Sequence, residues 1–230
     1  MASVSKTLLS VESQTELLRP AKLPLSRQSA LIWQVLISFV LLEAALWTPP
    51  GVNLLFGAAT LISILVGTRL SGFTAQQMGL RTPPARSAGT ILFIGIALAL
   101  LLPLSTYAAG LDTFPVRPMT TTRVVLYIHW AFLQEFILQS FFFLRLETLF
   151  GSRTAVLGAG LLFSLAHLPN MFLTLATLPL GILFCELFRR FRTLAPIGLI
   201  HGVLGLALAA SVSDSLLHHM RVGMGYLLLH

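Results

Sequence analysis

The chain has 230 residues, 56% hydrophobic and 10% charged, with a formal net charge of +7 and a mean hydropathy of +0.86. A soluble domain carries about 25% charged residues, so this composition argues against a soluble enzyme or a nucleic-acid-binding module. It predicts an all-α, polytopic membrane protein built as one helix bundle of about seven spans. The basic residues sit in short segments between apolar runs, where membrane topology accounts for them without nucleic acid. The single cysteine, Cys185, leaves no partner for a disulfide or a cysteine-rich metal site within the chain, and reads as a packing residue.

Residues 1–29 are polar or mixed and carry Lys6, Arg19, Lys22 and Arg27. They are too long and diffuse for the basic region of a signal peptide, so a retained cytoplasmic tail and an uncleaved first span are expected. About 20 apolar residues are needed to cross a bilayer. Candidate spans cover 30–47, 52–68, 88–108, 123–146, 155–172, 173–187 and 194–212. Pro49-Pro50-Gly51 closes the first, Pro103 is expected to kink the third, and a turn near Pro169-Asn170 divides the fifth from the sixth. The segment 110–122 is rich in Pro and Thr. The predicted organisation is thus a tail (1–29), a transmembrane bundle (30–212) and a C-terminal tail (213–230) whose last apolar piece is too short to cross.

Charge gives the orientation. With the N-terminus inside, twelve of the fifteen basic residues fall on the inner side, and only Arg117, Arg123 and Arg221 fall outside. That asymmetry places the N-terminus in the cytoplasm and the C-terminus on the opposite side.

The stretch 130–146, WAFLQEFILQSFFFLRL, carries the chemistry. Gln134, Glu135 and Gln139 interrupt an apolar run, and a carboxylic acid in hydrocarbon is by default a functional-site candidate. His167 in the fifth span and His201 in the seventh supply two imidazoles. At 1.5 Å per residue, Gln134 and His167 each lie about 18 Å from the inner ends of their spans, and His201 about 10 Å. Tilt, or a kink at Pro196, has to absorb the difference. An acid and an imidazole around one water can act as a general base on a carbonyl, and a second imidazole can bind the oxyanion.

Three motifs carry a resemblance: Gln134-Glu135-Phe-Ile-Leu-Gln139, Phe163-Ser-Leu-Ala-His167 and His201-Gly-Val-Leu-Gly205. In order and spacing they resemble the CAAX protease and bacteriocin-processing family of glutamate-type intramembrane endopeptidases, over about 125–208 (core about 123–212). That family shows Glu-Glu-x-x-x-Arg, Phe-x-x-x-His and His-x-x-x-Asn or Asp. The resemblance implies an intramembrane protease lineage in a prokaryotic cell membrane, with catalytic roles at Glu135, His167 and His201 and no cofactor or metal. Three positions depart from the pattern. Gln134 stands for the glutamate that activates water, Gln139 for the arginine, and Gly205 for the residue that helps hold the oxyanion. A neutral amide cannot accept a proton near pH 7.

Two functions follow. The first is a non-catalytic relative, a pseudoprotease that binds a partner membrane protein as a scaffold or assembly subunit. The second is an active endopeptidase cleaving a membrane-associated protein or peptide, with Glu135 and His167 activating water and His201 binding the oxyanion. The remaining polar residues have plainer readings. His129 is an interfacial residue beside Trp130, His218-His219 belong to a solvated tail, and Phe141-Phe142-Phe143 pack on lipid or helix. Arg189-Arg190-Phe191-Arg192 signals topology, with anionic lipid as a secondary partner.

Overall fold

The computed structural model describes residues 24–111 and 119–228. Lys6, Arg19, Lys22 and Arg117 therefore lie outside the described residues, with most of the predicted N-terminal tail. The chain divides into a short unit, Met1–Ala30, and a main unit, Leu31–His230. The described part of the short unit is the start of the first helix.

No strand occurs among the described residues. The main helices are α1 (Leu25–Trp47), α2 (Val52–Ser71), α3 (Ala85–Ala108), α4 (Thr121–Phe150), α5 (Ser152–Leu165), α6 (Met171–Phe191) and α7 (Ala195–Ser211). Short helices α8 (Asp214–Leu217) and α9 (Gly223–Leu227) follow. In hydrocarbon each backbone N–H and C=O must pair within its own segment, which makes apolar runs of this length helical. The breaks have local causes. Gly51 (φ 95) follows the Pro pair, Gly72 (φ 69) ends α2, and Gly151 (φ 83) turns the chain between α4 and α5. Thr120 accepts from the Arg123 N–H at the start of α4, and Asn170 accepts from the Leu173 N–H at the start of α6.

Five helices, α1 to α4 and α6, are long and apolar enough to cross a membrane, whereas α5 (14 residues) and α7 (17 residues) are apolar but shorter. The expected count of about seven thus meets five full-length helices and two short ones. Other bounds shift as well. The first helix begins at Leu25 rather than Ala30. The break expected near 172 falls at 166–170, because Pro169 cannot continue a helix and Asn170 caps the next one. His167 therefore sits in a turn. Pro196 lies in the first turn of α7, where proline is accommodated without a kink.

Helix α4 is irregular. Its middle, Phe136–Phe143, is a π-helix beginning directly after Glu135. Residues 138–145 are all buried, a continuous run rather than one stripe. Bulky neighbours on every side account for this. Phe143 packs on Phe188 of α6, and Phe142 on Phe39 of α1. Phe141-Phe142-Phe143 thus pack on helices rather than lipid.

Arg145 departs from its expected place among the inner-side charges. It is fully buried, donating to Gln34 of α1 (2.8 Å), Ser71 of α2 (2.9 Å) and the Phe141 carbonyl (2.8 Å), with its guanidinium 3.5 Å from the centre of the Phe141 ring. A carbonyl near the end of a π segment loses a regular helical partner as bonding returns from i+5 to i+4. The Arg145 side chain supplies one. A buried cation needs such partners, because desolvation is otherwise prohibitive.

The site is positioned by close packing of α5 on α6 and of α7 on α3 and α4. At the α5–α6 crossing, a Cβ on Gly160 would lie 2.8 Å from Ile182 Cγ1, and one on Gly181 2.9 Å from Phe163 Cδ1. Small residues here let the backbones approach, as is common between membrane helices.

Candidate active site

Glu135 and Gln139 lie one turn apart on α4, at the start of the π segment, and both are fully buried. The two carboxylate oxygens of Glu135 are occupied. Oε2 accepts from Gln139 Nε2 at 3.0 Å, and Oε1 lies 2.8 Å from His201 Nδ1 on α7. The depth mismatch expected for His201 is closed without a kink, since α7 packs directly on α4.

A carboxylate only accepts, so Nδ1 of His201 donates and Nε2 is left as the ring's acceptor. The ring is held on both sides. Phe184 stacks on it at 5.2 Å between centroids, and Phe163 meets it edge-on at 5.6 Å. Phe163 also meets the His167 ring, at 4.8 Å. His167 Nδ1 lies 2.7 Å from the Phe163 carbonyl, its own one-turn-back neighbour. That nitrogen therefore donates, leaving Nε2 as the acceptor.

These groups border a cavity of about 190 Å³, room for more than a single water. Its polar lining comprises Gln134, His167, His201, Thr177 and Tyr127, within an apolar wall that includes Phe39, Leu42, Phe142 and Leu180. Met220 and Val222, from the C-terminal segment, complete one side. Gly205 also lines it, one turn after His201.

Of the expected site residues, His167, His201, Gln134 and Gly205 meet at this cavity. Glu135 and Gln139 do not line it. They stand behind His201. The expected pairing of Glu135 with His167 is thus replaced by a pairing with His201, because the π segment and α7 bring that ring to the carboxylate. His129 is elsewhere, with Nδ1 2.8 Å from the Val125 carbonyl on an exposed face. Cys185 is buried in the core. His218 and His219 engage Tyr226 and Asp214. Among the described residues, no group of three or more His, Cys, Asp and Glu is arranged to hold a metal.

Residues 117–207 match the family model described as Type II CAAX prenyl endopeptidase Rce1-like. The chain is a helical membrane protein with an Rce1-like CAAX protease domain. This agrees with the family named from the three motifs, and all six motif positions fall inside the matched segment. No curated protein matches the chain. The Rce1-like segment takes in α4 to α7 as far as 207. It thus holds the Glu135–His201 pair and His167, while α1 and the C-terminal segment contribute to the cavity wall from outside it.

Sequence reasoning missed two residues. Arg145 was hidden by its position near a helix end, where arginines usually mark topology. Tyr127 was hidden because the motifs begin after it. Two signals point to it: it lies two helical turns before Gln134, on the same face, and a glycine at 205 leaves a volume that some neighbour has to fill.

Proposed function

We propose that this protein is an intramembrane peptide hydrolase in which Glu135 and His201 act together as the general base. The observation that carries this reading is the 2.8 Å contact from His201 Nδ1 to a fully buried carboxylate, with His201 also lining the cavity. A carboxylate on Nδ1 orients an imidazole and stabilises the charge it acquires on taking a proton. That arrangement can do the work for which Gln134 has no basicity.

The step balances as follows. Water in the cavity gives a proton to His201 Nε2 as its oxygen bonds to the scissile carbonyl carbon. The carbonyl π pair moves onto oxygen. The carbon–nitrogen bond then breaks, and His201 Nε2–H returns the proton to the departing nitrogen. The products are a carboxylic acid and an amine, and Glu135 stays ionised throughout. Gln134 can hydrogen-bond the water, and His167 Nε2 can accept its second hydrogen. The substrate is a membrane-associated protein or peptide. The matched family's name makes a prenylated CAAX-type peptide the first to try.

The orientation that suits this reading has the N-terminus in the cytoplasm and the C-terminus opposite. Arg69 at the end of α2, Arg153 at the start of α5 and Arg190 at the end of α6 would share the inner face.

The test uses the full chain in lipid nanodiscs, with a farnesylated CAAX-type peptide and single-span peptides as reporters and mass spectrometry of the products. Glu135→Gln and His201→Ala should each lower the cleavage rate by about 10²–10⁴. Unchanged cleavage in both overturns the mechanism.

A second reading is supported by the Gln134 amide on the cavity wall, where an acid was expected. It is a non-catalytic relative that binds a membrane protein partner. It requires that the wild type cleave none of the reporters, and that a partner co-purify equally with wild type and Glu135→Gln.

A further inference from the structure

We propose that the Tyr127 hydroxyl is an oxyanion donor of this site, acting from the space that a side chain at position 205 would otherwise fill. The inference rests on the hydrolytic reading above and extends it to the half of the site that Gly205 leaves empty.

The geometry is reciprocal. A Cβ built on Gly205 collides with the Tyr127 hydroxyl, and lies 2.7 Å from its Cζ and 2.8 Å from its Cε1. A side chain at 205 and the phenol at 127 are therefore mutually exclusive occupants of one place. That place borders the cavity, since Tyr127 and Gly205 both line it. Gly205 is one turn from His201 on α7, and Tyr127 two turns from Gln134 on α4, so each shares a helix face with a polar residue of the cavity. The phenol reaches across from the facing helix to the level of the His201 ring.

The chemistry suits the place. With Nδ1 given to Glu135 and to the Phe163 carbonyl respectively, His201 and His167 present acceptors to the cavity, and neither supplies a donor in its neutral form. Hydrolysis needs at least one donor aimed where negative charge develops. A phenol is a donor that carries no charge of its own, suited to an apolar surrounding. The Tyr127 hydroxyl has no hydrogen-bond partner among the described residues, although a buried phenol usually finds one. Substrate oxygen would complete it.

The test compares wild type, Tyr127→Phe and the double variant Tyr127→Ala/Gly205→Asn in nanodiscs, on whichever reporter peptide wild type cleaves. Phenylalanine keeps the ring that fills the gap and removes only the hydroxyl. It should lower kcat by about 10²–10³ with KM little changed, as for loss of one oxyanion donor. The double variant, which moves a donor to position 205, should recover at least tenfold over Tyr127→Ala alone. Binding gives a second readout. A phosphinic pseudopeptide, a tetrahedral anion, should bind wild type more tightly than the parent amide, and that preference should fall at least tenfold in Tyr127→Phe. If Tyr127→Phe cleaves and binds like wild type while Glu135→Gln is inactive, the donor role is overturned and the hydrolytic reading stands. If wild type neither cleaves any reporter nor prefers the pseudopeptide, both are overturned.

Discussion

Glu135 and His201 are 66 positions apart in the chain, and 2.8 Å apart at Oε1 and Nδ1. The pairing makes a carboxylate tolerable in an apolar interior, because its other oxygen is also satisfied, by Gln139. It also fixes which imidazole nitrogen is available to the cavity. The same contact therefore serves stability and tautomer choice, and the two can be separated by substitution.

The separation comes from Gln134, which lines the cavity next to the pair without belonging to it. Gln134→Glu adds a proton acceptor directly on the wall. In a Glu135→Gln background it should raise cleavage at least tenfold over Glu135→Gln alone, since the lost base is partly replaced. Initial rates on a cleaved reporter peptide measure this. No recovery, in a double variant that stays folded, would mean that proton acceptance at this cavity does not limit the reaction.

Arg145 ties α1, α2 and α4 together through Gln34, Ser71 and the Phe141 carbonyl. Arg145→Ala leaves these acceptors buried without their donor. The expected loss is about 3–5 kcal/mol, the scale for breaking a buried charged interaction. Thermal unfolding in detergent should show a clear drop in midpoint. By contrast, Arg192 and Glu147 pair near the surface, and removing that pair should cost about 1 kcal/mol or less. A larger effect at Arg192 than at Arg145 would contradict this ordering.

Gly181 links packing to the site. A Cβ there would press on Phe163, whose ring touches both His167 and His201. Gly181→Ala should destabilise by about 1–3 kcal/mol, as overpacking does, and should also lower cleavage by shifting both rings. Gly158→Ala on α5 is the control. A Cβ there meets only Leu146 Cδ1, at 3.4 Å, so stability and rate should hardly change. Equal losses at the two glycines would show that the Phe163 contact has no special role.

Much of this was legible in the sequence. The apolar runs gave the helices nearly in place, because helix formation in lipid depends on local composition and length. Glu135, His167 and His201 stood out because each is costly away from water. What was not legible were the partnerships. Nothing local to Gln134-Glu135 says which of the two faces the cavity, since that depends on helix rotation and on the π segment that begins at Phe136. Position along a span suggested that Glu135 would meet His167 rather than His201, because depth was counted on ideal helices and His167 was placed in one. The turn at 166–170 removes that premise. Tyr127 escaped because its role depends on an absence sixty-odd residues later, at Gly205.

The π segment also sets how this chain can tolerate a change in length. Removing one residue between Phe136 and Phe143 would let the helix relax to the α form and turn everything after it by about 100° relative to what precedes it. Glu135 would keep its place beside His201, while Arg145 would swing away from Gln34 and Ser71. A one-residue deletion here is thus expected to spare the polar pair and unfasten the first two helices. The widened turn acts as a phase adjuster between two halves of one helix, each registered to different neighbours.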